Sequence, residues 1–329
     1  MNLLVTDVVA VVRQITDALR KQVLGTLHRR GVIVAMSGGV DSSVCAALAA
    51  RAFGPERVFA LFLPEHDSDP QSLALASNWA RELGIAHATV DIAPILAACG
   101  CYAARDNAIR RLVPEYGAGW RCKLVLPGNR LDSDRLNVFE LAVQPPGGEI
   151  RKLRLPPVEY REIVAATNFK QRVRKMLEYF HADRLHYAVV GTPNRLEYDQ
   201  GFFVKGGDGL ADVKPIAHLH KTQVYQLAEF LRVPAEITER APTTDTYSLP
   251  QSQQEFYFLL PTELMDIVLA GHNAGLRAEE LAAQVALEPV QIQRVYKEIE
   301  QKRATTRYLH MPALLVESVP EVTTDADPA

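Results

Sequence analysis

The amino-acid sequence predicts an α/β fold, a doubly wound parallel sheet followed by a helical C-terminal part. Three observations predict it. Short apolar runs at Val32-Ile33-Val34-Ala35, residues 58–63 and residues 187–191 have the length and composition of strands buried on both faces. Helix-forming stretches alternate with these runs, as in a sheet built from strand–helix–strand units. Beyond Pro250 the pattern is helical.

Taken in order, residues 7–27 carry Val8, Val11, Val12, Ile15, Leu19, Val23 and Leu27, an apolar stripe at helical spacing. Gly31 interrupts it before the first strand. Ser37-Gly38-Gly39 ends that strand, and an alanine-rich helix is expected over 40–52. The second strand, 58–63, stops at Pro64. A helix over 72–83 closes at Gly84, and a third strand is expected over 87–92. From about 99 to 160 the pattern weakens. Gly and Pro cluster at Gly117-Ala118-Gly119, Pro127-Gly128 and Pro145-Pro146-Gly147-Gly148, which reads as an insertion with a strand near 136–143. A helix over 168–181 leads to the strand at 187–191. Another, over 221–231, sets Val224, Leu227, Ala228 and Leu231 on one face. The expected organisation is an N-terminal helix (1–30), a nucleotide-binding domain (31–250) with the insertion at 99–160, a helical part (251–317) and a disordered tail (318–329).

Composition narrows the function. The chain has 329 residues, 48% hydrophobic and 23% charged, which excludes a disordered, collagenous or coiled-coil protein. Lys plus Arg is 36 and Asp plus Glu is 39, so the net charge of −3 carries no global signature of a nucleic-acid partner. No apolar run approaches the roughly 18–20 residues that cross a bilayer. The N-terminus lacks a basic n-region, and Asp7 and Arg13 interrupt its apolar stretch, so no signal peptide is expected. Cys45, Cys99, Cys101 and Cys122 lack zinc or disulfide-framework spacing and read as reduced thiols. A cytoplasmic protein without a membrane partner is expected.

The most informative string is Val34-Ala35-Met36-Ser37-Gly38-Gly39-Val40-Asp41-Ser42-Ser43. A buried strand runs into a glycine turn and a helix starts at once, so amides and the positive helix end face one point and suit an anion. Ser37, Ser42 and Ser43 offer hydroxyls. Asp41 beside a phosphate fits a magnesium ligand. The string has neither the G-x-x-x-x-G-K-[ST] nor the G-x-G-x-x-G spacing. It resembles the pyrophosphate loop of the ATP pyrophosphatase superfamily, whose Rossmann-like, adenine nucleotide alpha hydrolase-like fold is thereby implied.

A second constellation follows the strand at 187–191. It comprises Gly191-Thr192-Pro193-Asn194-Arg195-Leu196-Glu197, then Gly201-Phe202-Phe203-Val204-Lys205-Gly206-Gly207-Asp208-Gly209-Leu210-Ala211-Asp212, then Lys221 and Pro242-Thr243-Thr244-Asp245. The order and spacing resemble the NAD synthetases over about 31–63 and 168–250. That resemblance implies ATP-dependent amidation of deamido-NAD by ammonia, through an acyl adenylate, giving NAD, AMP and pyrophosphate. It implies ATP contacts from Ser37, Gly38, Gly39, Asp41, Ser42, Ser43, Thr192, Lys221 and Thr243. Mg²⁺ would fall to Asp41 and Glu197, and deamido-NAD to Arg172, Lys205 and Asp212. No covalent nucleophile is needed. A homodimer is implied too. About 30 residues precede Gly31 and about 80 follow Pro250, too few for a glutaminase domain of ordinary size, so the expected nitrogen source is free ammonia or a glutaminase on another chain.

The chain also departs from that pattern. Leu61-Phe62-Leu63-Pro64 lacks the arginine of L-R-L-P, and Arg307-Tyr308 stands near the place of a His-Lys pair. Three alternatives follow. The acceptor is a different carboxylate. Or it is a tRNA to be thiolated, with Cys99, Cys101 and Cys122 in play and basic residues from Arg151 to Lys175 as the surface. Or residues 279–295 form a DNA-binding helix-turn-helix, which would need a continuous basic face from Gln291 to Lys297.

Overall fold

The structure is a computed structural model that describes residues 4, 6–126, 139–240, 246–251, 256–258 and 260–322. Its centre is a parallel sheet built from β1 (Val32–Ala35), β2 (Val58–Phe62), β3 (Ala86–Thr89) and, much later in the chain, β7 (Ala188–Val190), in the order β3-β2-β1-β7. Val32 pairs with Val58 on one side and Ala188 on the other. Alternate residues of each strand enter opposite layers. Val32, Val34, Val58, Ala60, Ala188 and Val190 join one apolar cluster, whereas Ile33, Leu61 and Val189 join another. That two-sided burial is why these runs are apolar throughout rather than alternating.

Helices α1 (Val8–Arg20), α2 (Val40–Phe53), α3 (Pro70–Glu82) and, later, α8 (Lys221–Phe230) supply the first layer. The short α4 (Ala93–Ala98) and the long α6 (Pro157–Leu185) supply the second. The chain runs outward from β1 to β3 and then returns to the other side of β1. The order therefore reverses at β1, and the crevice beyond the ends of β1 and β7 is the topological switch point, where such sheets bind ligands.

Boundaries differ from expectation for identifiable reasons. α1 passes into a wider π-type turn at Lys21–Thr26, which keeps Val23 buried. α3 starts two residues early because the Asp69 side chain accepts a hydrogen bond from Gln71 N (2.9 Å) and Pro70 fits the first turn. α6 has 29 residues, about twice the expected length. Its extra part is mostly 157–167, which opens on Pro156-Pro157 and buries only Ile163 and Ala166, so the apolar period is sparse there; further on, the inner face buries Lys170, Lys175 and Glu178 beside Val173.

The described residues between 99 and 160 form more regular structure than their composition suggests. Helix α5 (Cys101–Arg110) packs on α6, and β4 (Arg121–Val125), β5 (Glu140–Gln144) and β6 (Arg151–Arg154) form an antiparallel sheet in that order. Cys122, Leu124, Leu141 and Val143 turn one face of it into a separate apolar cluster. The expected strand at 136–143 is β5; residues 136–138 lie outside the described residues.

After β7 come the short α7 (Arg195–Gln200) and α9 (Ala235–Thr238). The C-terminal part is α10 (Thr262–Asn273), α11 (Ala278–Ala282) and α12 (Pro289–His310), packed round Met265, Leu269, Leu281, Ile292, Val295 and Ile299. Of the expected tail at 318–329, residues 323–329 lie outside the described residues.

Candidate functional site

The loop after β1 is shaped by its glycines. Gly38 has φ +79°, and a Cβ there would lie 2.4 Å from the carbonyl oxygen of Ser72, so only glycine fits. The serines brace the turn. Ser42 Oγ donates to Gly39 O (3.0 Å) and accepts from Ser37 N (3.3 Å). Helix α2 starts at Val40 with no side-chain cap on Gly39, so its positive end is presented to the crevice.

Three polar groups meet beside this loop. Asp41 Oδ2 accepts from Lys221 Nζ, and Asp41 Oδ1 accepts from Asn194 Nδ2 (3.2 Å). Asn194 and Glu197 form the capping box of α7: Glu197 N donates to Asn194 Oδ1 (3.1 Å), and Asn194 N donates to Glu197 Oε2 (3.2 Å). The Lys221 side chain is 2% exposed. Burial alone would depress its pKa, but Asp41 and Glu197 outweigh that and hold the ammonium above its ordinary value.

Ser37, Gly39, Asp41, Ser42, Thr192, Glu197 and Lys221 line one cleft of about 730 Å³. Gly38 supports it from behind, against Ser72. Ser43 is fully buried; its carbonyl accepts from Trp79 Nε1 (3.1 Å), and its hydroxyl has no partner among the described residues. Thr243 lies outside the described residues.

Arg172, Lys205 and Asp212 do not line the cleft. Arg172 Nε donates to Lys205 O (3.3 Å). Lys205 Nζ donates to Tyr308 O (2.7 Å) and Met311 O (2.8 Å) at the end of α12. Asp212 accepts from Val189 N (2.7 Å) and from the Tyr179 hydroxyl (3.1 Å), which ties the glycine-rich loop to β7.

Sequence reasoning missed Asn194, although its three-residue spacing from Glu197 is a capping-box signal. It also missed the buried network of Lys170, Glu65, Asp67 and Arg105 at the cleft edge. Lys170 Nζ donates to Glu65 Oε1 (2.9 Å), Asp67 Oδ2 (2.6 Å) and Thr246 O (2.9 Å), and Arg105 Nη1 donates to Asp67 Oδ2 (2.5 Å). These partners are more than 30 residues apart, so no local pattern links them.

Two alternatives lose support. Of the three cysteines in play for thiolation, Cys101 and Cys122 are buried, and burial pushes each thiol pKa up, away from a nucleophilic thiolate, which leaves Cys99 as the exposed one. On α12, Arg294 and Lys297 stand among Gln291, Gln293, Glu298 and Glu300, so no continuous basic face runs from Gln291 to Lys297.

The NAD synthase family model matches residues 11–113 and 151–308. The NH(3)-dependent NAD(+) synthetase of Mesorhizobium japonicum is 57% identical over 313 residues, covering 95% of this chain and 98% of that protein. Its counterpart from Thermotoga maritima is 35% identical over 281 residues, covering 85% and 91%. Among solved structures, the NMN synthetase from Francisella tularensis aligns with a TM-score of 0.62 at 20% identity, covering 94% of this chain and 99% of that one. An NH3-dependent NAD synthetase from Campylobacter jejuni aligns with a TM-score of 0.60 at 20% identity, covering 94% and 100%. These last two likenesses show the fold.

Proposed function

The chain belongs to the NAD synthase family, and from that premise we propose that its cleft amidates the nicotinate carboxylate of deamido-NAD with ammonia at the expense of ATP. The observation that carries the reading is the convergence of the phosphate loop with Asp41, Glu197 and Lys221 at one end of one cleft. A carboxylate is a poor electrophile because oxide would have to leave. Its oxygen attacks the α-phosphorus of ATP, and pyrophosphate departs. Ammonia then adds to the acyl carbon, loses a proton, and AMP leaves with the carboxylate oxygen. The protein's part is alignment and charge neutralisation. The α2 amides and Ser37 and Ser42 hold phosphate oxygens, Lys221 supplies a point charge, and Thr192 lines the same cleft.

The donor set fits a magnesium ion. Asp41 and Glu197 are two carboxylates on one cleft. Among the described residues no group of three or more His, Cys, Asp or Glu side chains could hold a metal by itself. Mg²⁺ is commonly held in that way, by one or two carboxylates with the rest of its shell from phosphates and water. When bound, it would neutralise the phosphate charge that builds as pyrophosphate leaves. Arg172 and Lys205, which do not line this cleft, are assigned to the part of the acceptor that extends beyond it, and Asp212 anchors their loop to β7.

The same reading includes a homodimer in the cytoplasm and free ammonia, or a glutaminase on another chain, as nitrogen source. Met176 and Phe180, 57% and 59% exposed on α6, support an apolar contact between copies; light scattering that gives the monomer mass would reject it. No helix among the described residues is long and apolar enough to cross a membrane. The deciding experiment supplies ATP, Mg²⁺, deamido-NAD and ammonium and measures AMP and NAD together. Equal formation of both is expected. ATP binding without either product would leave the phosphate site standing and reject the acceptor.

A further inference from the structure

The cleft has a second end that the phosphate chemistry does not use. Eight residues of α6 line the cleft: Tyr160, Val164, Thr167, Asn168, Gln171, Arg174, Lys175 and Glu178. Their spacing of three to four places them along one helix face. At the N-terminal end of that face the lining becomes aromatic. Phe139 stacks on Tyr160 with ring centres 5.0 Å apart and planes 21° apart. Phe256 packs against Phe139 (5.5 Å), Tyr247 (5.9 Å) and Phe202 (6.0 Å). All five line the same cleft. The Tyr247 hydroxyl is buried there without a hydrogen-bond partner among the described residues.

Two features set this compartment apart from the phosphate end. Tyr247 belongs to the apolar cluster of the antiparallel sheet, with Phe139, Tyr160 and Phe256 packed against it. Met36, Val40, Ile237 and Leu73 at the other end belong to, or pack on, the cluster of the parallel sheet. And Phe139 immediately precedes β5, inside the 114–150 stretch that the family model leaves unmatched.

We propose that this unmatched stretch reaches into the cleft to complete a ring-binding compartment, with Phe139, Tyr160, Tyr247 and Phe256 receiving a planar heteroaromatic ring of the acceptor nucleotide. This deepens the reading above and rests on it. The reaction brings together at least two flat rings, the adenine of ATP and a ring of the acceptor, and the cleft offers two apolar ends for them. ATP's phosphates fix its position at the β1 loop, where Met36, Leu73 and Ile237 offer the nearer apolar surface. The aromatic end lies along α6, the helix that also carries Arg172. Phe139, Tyr160 and Phe256 are partly buried and Tyr247 is buried. Partly buried rings that already stack on one another present faces and edges to an incoming ring, and such stacking is tolerant of ring identity. Phe139 thereby becomes a specificity-determining residue for the acceptor and not for ATP.

The test uses the full chain with Phe139→Ala and Phe139→Tyr, each compared with the unaltered chain by thermal unfolding. Calorimetric titration then measures binding of deamido-NAD, nicotinate mononucleotide and ATP separately, and turnover is measured beside it. Phe139→Ala is expected to weaken deamido-NAD about tenfold or more while ATP binding stays within about twofold, with Phe139→Tyr close to the unaltered chain. Parallel weakening of the mononucleotide would place the pyridine ring in the compartment. Weakening of the dinucleotide alone would place its adenine there. Both outcomes support an acceptor ring. Weakened ATP with unchanged acceptor, or no change in either, overturns the proposal. If the unaltered chain neither binds nor amidates deamido-NAD, the proposed function fails, a result read before any variant is tested. A Phe139→Ala chain that fails to fold is replaced by Phe139→Leu, which keeps more of the apolar volume and removes the ring face.

Discussion

Replacing Lys170 by methionine isolates the energetics of the buried charge network. The Lys170 side chain is 2% exposed, and its partners Glu65 and Asp67 are 0% and 8% exposed. After the substitution Asp67 keeps Arg105 at 2.5 Å, but among the described residues the Glu65 carboxylate keeps only the Tyr102 hydroxyl at 2.8 Å. A carboxylate is thus left buried with one neutral donor, and Thr246 O loses its donor as well. Breaking one side of a buried pair costs about 3–5 kcal/mol, mostly the uncompensated desolvation of the partner left behind. The exposed pair of Arg151 with Glu115, 2.8 Å apart at 51% and 54% exposure, is the internal control, and Arg151→Gln is expected to cost under about 1 kcal/mol. Guanidinium unfolding followed by tryptophan fluorescence reads both, since Trp79 sits in the parallel-sheet cluster and Trp120 packs on the antiparallel one. Adding Glu65→Gln to Lys170→Met removes the stranded charge and keeps an acceptor for Tyr102, so it should recover part of the loss. The pH dependence has a fixed sign. Burial would raise the Asp67 pKa, but Lys170 and Arg105 reverse this and hold it below the ordinary value. Its contribution is complete above the unfolded pKa near 3.9 and is lost as pH falls through the lower folded value. The gap between the unaltered chain and Lys170→Met should therefore narrow below about pH 4. A Lys170→Met cost no larger than that of Arg151→Gln, or a gap that widens in acid, would refute the reasoning.

Other substitutions test the cleft directly. Asp41→Asn keeps shape but removes the charge facing Lys221. The chain is expected to lose stability because a buried ammonium loses its nearest counter-charge, and pyrophosphate release is expected to fall about 100-fold in the fraction that stays folded; normal turnover would reject the loop assignment. Gly38→Ala forces a Cβ to 2.4 Å from Ser72 O at φ +79°, so the loop must shift. ATP use should drop about 100-fold, and isothermal titration that finds unchanged ATP affinity would show the loop to be more pliable than drawn. Lys205→Ala removes a cation and frees the end of α12, so the Michaelis constant for deamido-NAD should rise about tenfold while that for ATP holds; an unchanged constant for the dinucleotide removes Lys205 from the acceptor site. A thiol reagent should label Cys99 alone in the native chain and all four cysteines after unfolding; fast native labelling of a second thiol would contradict the burial of Cys45, Cys101 and Cys122.

Legibility in the sequence tracked the distance along the chain over which each feature is written. The phosphate loop occupies ten consecutive residues, and the features that mark it are local: a two-sided strand, a glycine at positive φ, a helix start. The central strands were legible for the same reason, because burial on both faces leaves Val32, Ile33 and Val34 with no polar partner in the pattern. α6 was read at half its length because its first part, 157–167, opens on Pro156-Pro157 and buries only Ile163 and Ala166, too sparse an apolar period to mark a helix. β4 and β6 were missed because Arg121, Arg151 and Arg154 face outward on short antiparallel strands and mask the apolar face. Lys205 was identified by its motif, but its hold on Tyr308 and Met311, more than 100 residues on, has no local signature.

The contact between Lys221 and Asp41 links the folding requirement of the site to its chemistry. An ammonium 2% exposed must have a counter-charge, and Asp41 provides it within the chain. Asn194 holds the other oxygen of Asp41, and the Asn194–Glu197 capping box fixes Asn194 to the start of α7. The lysine is therefore held beside the phosphate loop before any anion arrives. A phosphate entering there meets a charge already desolvated and already placed, and the lysine exchanges one anionic partner for another with little movement. Such prior placement is what makes a charge effective in stabilising a transition state, because reorganisation is completed during folding and not during the reaction. It also explains why the loop, α7 and the start of α8 must converge at the end of β1 and β7. Only at the point where the strand order reverses do two strand ends leave a crevice between them, with room for a helix N-terminus on one side and a capped loop on the other.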